Sequence, residues 1–103
     1  MDAQMKKGVV EMCILHLIAS EKQYGYEIMQ LVNGKFPEIN ESTIYAILRR
    51  LHREGAAEVS LGTVSGGPPR KYYSITERGQ NELAAAKANW RNLVTSVRNI
   101  GIE

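Results

Sequence analysis

A change of hydrophobic period constrains this chain more than any other feature. Up to Glu54 the apolar residues recur at helical spacing, in three segments separated by breaks at Ser20 and Gly34. At Gly55 the helical period stops. The stretches AEVSLGTV (57–64) and RKYYSI (70–75) that follow are β-rich or alternate, and Gly66-Gly67-Pro68-Pro69 between them is strong turn punctuation. From Thr76 onward the helical period returns. The predicted order is therefore helix, helix, helix, β-hairpin, helix: a mainly α (α+β) winged helix-turn-helix, α-α-α-β-β-α. Residues 1–75 form its winged-helix domain. Residues 76–103 form a long C-terminal dimerisation helix packed with the first helix as one structural unit.

The first helix is expected from about Lys6 to Ser20. Val9, Val10, Met12, Cys13, Ile14, Leu15, Leu17 and Ile18 point almost all round it. A helix like that is covered on more than one side, and in so small a chain a second subunit is a natural cover. EKQYGYEIMQLVN (21–33) predicts a second helix with Ile28, Met29, Leu31 and Val32 as its apolar side. Gly25 there admits the close approach of another backbone, and Asn33-Gly34 ends the helix before Pro37. The third helix runs from about Glu41 to Glu54, capped by Asn40 and closed by Gly55. Thr76 caps the last, which extends to about Asn99. Its apolar residues Leu83, Ala86, Trp90, Leu93, Val97 and Ile100 are spaced 3, 4, 3, 4 and 3, a heptad-like seam. Together with Val10 and Ile14 of the first helix, that seam is the expected dimer interface.

The third helix, NESTIYAILRRLHREG (40–55), has two unlike faces. Ile44, Ile47, Leu48 and Leu51 fall on one side; Ser42, Tyr45, Ala46, Arg49 and Arg53 fall on the other, flanked by Thr43 and Arg50. Hydroxyls, a phenol and a methyl come first, arginines one to two turns later. A helix entering the major groove N-terminus first meets base edges with its early residues and phosphates with its later ones. The hairpin that follows begins its return strand with Arg70-Lys71, and a basic wing there can straddle the phosphates beside the groove. Tyr73 and Ile75 are expected on one side of that strand, Tyr72 and Ser74 on the other.

Charge is distributed in keeping with this. The whole chain of 103 residues carries a net +2. Between Thr43 and Tyr73 stand Arg49, Arg50, Arg53, Arg70 and Lys71 against only Glu54 and Glu58, which leaves the rest near neutral. No apolar run approaches the ~20 residues of a membrane span. Glu11 and His16 interrupt the first apolar stretch and no cleavage site follows it, so a cytoplasmic protein is expected. The single cysteine fits a reducing compartment. Cys13 and His16 would supply at most half a metal site, and no phosphate loop or nucleophile elbow is present. Neither an enzyme nor a cofactor is expected.

The stretches YGYEI (24–28), STIYAILRRLHREG (42–55) and GGPPRKYYSITERG (66–79), followed by a helix bearing Trp90, resemble in order and spacing the PadR family of bacterial winged-helix transcriptional regulators, in its short branch. The resemblance covers nearly the whole chain. It implies a homodimer that binds double-stranded DNA at a roughly palindromic operator and represses transcription. It implies that Ser42, Thr43 and Tyr45 lie at the reading end of the helix, that Arg70 and Lys71 sit in the wing, and that Tyr24 touches a phosphate. Ala46 departs from the proline or threonine of many relatives, so base preference does not carry over. Some short relatives stack a planar aromatic small molecule between subunits on a tryptophan of the last helix. That implies a ligand at Trp90, the alternative being that the indole is simply a large knob in the seam; Met12 and Glu11 are expected to line the same space, the carboxylate drawing a cation. The competing expectation is a winged-helix protein-interaction module without sequence-specific DNA binding, its arginine stripe meeting an acidic partner.

Overall fold

A computed structural model describes residues 3–63 and 67–103. Its elements are α1 (Ala3–Ser20), β1 (Gln23–Tyr24), α2 (Gly25–Lys35), α3 (Glu41–Arg53), β2 (Ala57–Gly62), β3 (Arg70–Ile75) and α4 (Glu77–Ile100). This is the expected winged helix with one added strand. The sheet is antiparallel in the order β1-β3-β2. Gln23 and Tyr24 pair with Tyr73 and Tyr72, while β2 pairs with β3 from Ala57 opposite Ile75 to Gly62 opposite Arg70. Residues 21–24 therefore do not begin the second helix, contrary to the expectation from the sequence. They extend across the sheet edge, and the helix starts at Gly25. Of the expected Gly66–Pro69 turn, Gly66 lies outside the described residues.

Local chemistry sets the helix ends. Asn40 accepts at Oδ1 from the Thr43 N–H (2.9 Å), which starts α3. Gly55, at φ +83°, lets the chain leave α3 while the Ala56 N–H reaches the Leu51 carbonyl (2.9 Å). α2 continues two residues past Asn33. Gly34 stays helical, and the Asn33 side chain donates to the Ile39 carbonyl (2.7 Å), holding the turn into α3. At the head of α4, Thr76 Oγ1 donates to the Gly55 carbonyl (2.6 Å) and accepts from the Gly79 N–H (3.1 Å). A side chain at Gly79 would run into the Ala56 carbonyl oxygen and come within 2.8 Å of Ile75. The start of α4 is thus pinned directly against the end of α3.

The core lies between α1, α2, α3 and the inner face of the sheet. Ile14, Ile18, Ile28, Ile44, Leu48 and Leu51 are fully or almost fully buried in it, and Tyr73 closes the sheet side. Val10 and Ile14, expected at a subunit interface, are completely buried inside their own chain and offer a partner nothing. They belong to the core side of α1, and an all-round apolar pattern could not distinguish that side from the other. Leu31, expected in the core of α2, is half exposed. Gly25 does not admit a backbone: it makes room for the rings of Tyr45 and Tyr73, 3.4 and 3.5 Å from where its Cβ would stand.

α4 contacts α1, yet among its large apolar residues only Leu83 is buried. Trp90 is 43% exposed, Leu93 48% and Ile100 82%. A 24-residue helix is about 36 Å long, and its far half projects from the body, giving extents of 55 × 29 × 21 Å. Among the described residues, no helix is long and apolar enough to cross a membrane.

Candidate nucleic-acid interface

α3 turns Ile44, Ile47, Leu48 and Leu51 into the core. That leaves Ser42, Ala46, Arg49 and Arg53 exposed and Thr43 and Tyr45 half-buried, as the two-faced pattern requires. Arg49 lies at the centre of this surface, between two hollows. One, of about 280 Å³, is walled by Tyr24 from β1, Tyr26 from the start of α2, Tyr45 and Arg49 from α3, and Arg70, Lys71 and Tyr73 from β3. The other, of about 390 Å³, is walled by Lys7, Thr43, Ala46, Arg49, Arg50 and Arg53. The expected residues Tyr24, Tyr45, Arg49, Arg70 and Lys71, separated by up to 47 positions in the chain, thus meet around one depression.

The hydroxyls of Ser42 and Thr43 are not free. Each donates to Asn40 Oδ1 at 2.8 Å, alongside the Thr43 N–H. One carboxamide oxygen therefore holds both side chains at the tip of the helix. Tyr45 leans over Gly25 toward Tyr73. Burial pushes the Tyr45 phenol above its usual pKa, and the Glu41 carboxylate and Tyr26 push it further the same way. It stays a protonated donor at neutral pH. Burial also pushes the Tyr73 phenol up, partly opposed by the Arg49 charge.

Arg50 stands apart from the other basic residues of α3. Its guanidinium donates to Glu11 at 2.7 Å and reaches Glu54 at 3.5 Å, and the bond to Glu11 raises its pKa above the usual arginine value. It was expected to flank the outward stripe as a DNA contact; the structure shows it tying α3 to α1. Glu11 is moved by the same bond, since it was expected beside Trp90 and instead faces Arg50. Met12 and Trp90 do meet, in a cavity of about 460 Å³ between α1, α2 and α4.

A cation–aromatic cluster beside the wing went unread in the sequence. Arg70 lies over the Tyr24 ring at 5.2 Å and Lys22 over Tyr72 at 5.4 Å. Tyr24 stacks on Tyr26 (6.5 Å) and meets Tyr72 edge-on (5.7 Å). The tyrosines of YGY on either side of Gly25 were its one local signal. The pairing of β1 with β3 is what assembles it. Among the described residues, no group of three or more His, Cys, Asp or Glu could hold a metal ion.

A capped, outward-facing helix beside a basic two-stranded wing defines a protein of the winged helix-turn-helix class. Residues 14–85 match the transcriptional regulator PadR-like family, and the chain belongs to that family. Its members are transcriptional regulators, not enzymes. A PadR-like transcriptional regulator from Bacillus cereus strain ATCC 14579 superposes with a TM-score of 0.85 at 41% identity, covering 98% of this chain and all of that one. Bacillus subtilis PadR, solved in complex with operator DNA, superposes with a TM-score of 0.65 at 25% identity over 75% of this chain and 45% of its own. An uncharacterised protein of Lysinibacillus sphaericus is 39% identical over 88 residues, 82% of this chain and 80% of the relative.

Proposed function

We propose that this regulator is a homodimeric, sequence-specific DNA-binding repressor. The observation that carries the reading is the depression where Tyr24, Tyr45, Arg49, Arg70 and Lys71 converge between α3 and the wing. Three cations and several phenols on one concave surface suit a phosphate run beside a groove. The tip of α3, with Ser42, Thr43, Tyr45 and Ala46, would meet base edges. Arg49, Arg53, Arg70 and Lys71 would meet phosphates. The operator complex of the B. subtilis relative supports the same partner.

Dimerisation is supported by the uncovered far half of α4. Trp90, Leu93 and Ile100 are exposed and Val97 is partly so, an apolar face that the single chain leaves uncovered. Ala86 and the open side of α1 continue that face beside Trp90. A two-fold dimer presents two α3 helices and so calls for a roughly palindromic operator. A dimer seated there would block transcription. A planar aromatic effector is supported by the exposed Trp90 ring and the adaptable Met12 beside it.

Fluorescence anisotropy on duplex DNA from upstream of the protein's own gene, beside a scrambled duplex at two salt concentrations, tests this reading. Tight, salt-sensitive binding that prefers the upstream duplex is expected. No binding to any DNA at low salt would overturn it and leave the arginine face to an acidic protein.

A further inference from the structure

The tip of α3 is polarised by one atom, Asn40 Oδ1. Three donors converge on it: the Thr43 N–H at 2.9 Å, and the Ser42 and Thr43 hydroxyls at 2.8 Å each. A backbone N–H can only donate, so it fixes this atom as the carboxamide oxygen, which carries no proton. Each hydroxyl must then direct its single proton at Asn40. What remains on each is lone pairs, and a hydroxyl that donates accepts more strongly. Ser42 is exposed, and Thr43 borders the hollow it shares with Ala46 and Arg49.

From this we infer that Asn40 sets the polarity of DNA reading. Held by it, the Ser42 and Thr43 hydroxyls act on base edges as acceptors only, and the groups they take are exocyclic amines, the N6 amine of adenine or the N4 amine of cytosine. The inference rests on the DNA-binding reading above and names the chemical group read at that site. Those two amines are the donors that paired bases offer in the major groove; N7, O6 and O4 are acceptors. A free hydroxyl matches either kind. A hydroxyl bound to Asn40 meets N7, O6 or O4 lone pair to lone pair, and must break its bond to Asn40 before it can donate. The arginines of the same face only donate, so the tip supplies the acceptors they lack. Asn40 is thus a positioning residue. Its carboxamide, otherwise suited to a bidentate contact with adenine, already has its oxygen filled.

Selection from a randomised duplex pool with the full chain defines the bound sequence. Fluorescence anisotropy then takes duplexes in which one adenine is replaced by purine, or one cytosine by 2-pyrimidinone. Each replacement removes one exocyclic amine. A Ser42→Ala/Thr43→Val variant runs beside the wild type, because the duplex's own cost of a missing amine is the same for both. At one or more positions of the half-site, the wild type is expected to lose about fivefold more affinity than the variant, the weight of one ordinary hydrogen bond. Asn40→Gly keeps the helix start at little cost in stability and releases both hydroxyl protons, so it should lose that excess. Asn40→Asp, whose oxygens still only accept, should keep it. An excess that survives in Asn40→Gly would overturn the positioning role. Equal losses in wild type and hydroxyl variant at every position would overturn the inference and leave sequence-specific binding standing. An excess produced by 7-deazapurine in place of amine removal would overturn it too, because the hydroxyls would then be donating. No enriched sequence at all would overturn both the inference and the reading on which it rests.

Discussion

Arg50 on α3 donates to Glu11 on α1 across 39 positions of sequence, at 2.7 Å. The pair is about a third exposed, so its contribution is discounted for solvent. It still separates two arginines that are adjacent in sequence. Arg49 stands open at the centre of the proposed interface, and Arg50 is committed to the body of the protein.

The two residues should therefore behave differently on DNA. Arg49→Ala is expected to weaken binding to operator and random duplex alike and to reduce the slope of log K against log salt by about one phosphate contact. Arg50→Ala should leave that slope unchanged and lower stability by about 1 kcal/mol. Salt titrations by anisotropy and urea unfolding of both variants check this. Loss of a phosphate contact in Arg50→Ala would place that residue on the DNA.

Tyr45 should act on discrimination. It sits between the reading tip of α3 and the depression shared with the wing. Tyr45→Ala is expected to lower the ratio of operator to random binding, by about tenfold for a lost base-edge contact. Competition with scrambled duplex measures the ratio. Equal losses on both DNAs would make Tyr45 a phosphate contact.

Two glycines should respond in opposite directions to alanine. A Cβ at Gly79 has nowhere to go between the Ala56 carbonyl, just beyond α3, and Ile75 at the end of β3. Gly79→Ala should cost about 2–4 kcal/mol. Gly34, helical and exposed with nothing within 4 Å of its Cβ, should gain about 0.5–1 kcal/mol as alanine. Urea denaturation of both variants is the measurement.

Leu93→Glu should separate the subunits. Leu93 is 48% exposed in the single chain, and a carboxylate there would be buried unpaired in a dimer. Light scattering should report a monomer with the wild-type circular dichroism spectrum and weakened operator binding. A variant that remains fully dimeric would move the interface elsewhere.

Alkali should destabilise the fold through its phenols and its thiol. Burial raises the pKa of Tyr73, Tyr45 and Cys13. The folded state then binds protons more tightly than the unfolded chain. Their contribution is fully present below the unfolded values of about 8.5 for thiol and 10 for phenol, and is lost as pH rises through the folded ones. Melting temperature should begin to fall near pH 9, and less steeply in a Tyr45→Phe variant. An identical alkaline fall in that variant would remove Tyr45 from the linkage.

Much of the architecture was legible because it is written in local periods. The apolar stripe of α3, the cap at Asn40, the left-handed Gly55, the hairpin and the cap at Thr76 each rest on residues within a few positions of one another. β1 was not legible. Two residues carry no period, and their pairing with Tyr72 and Tyr73 spans half the chain. The all-round apolar α1 announced that it was covered but not by what. Val10 and Ile14 turned out to be core, while Met12 faces the cavity at Trp90.

By itself, then, the sequence determined the winged helix, the helix that faces outward and the basic strand that flanks it. Spacing of 3.6 or 2 residues decides which side chains share a face, and capping chemistry decides where the faces stop. Only the tertiary structure decided how charges are partnered. Arg49 and Arg50 differ by one position and about 100° of helical rotation, and that rotation brings Glu11 within reach of Arg50 and leaves Arg49 exposed on the surface. The same packing withdrew Glu11 from Trp90 and left Lys35, Lys87 and Arg91 around an apolar cavity without a counter-charge. Charge complementarity is a property of distance in space, and sequence separation does not encode it.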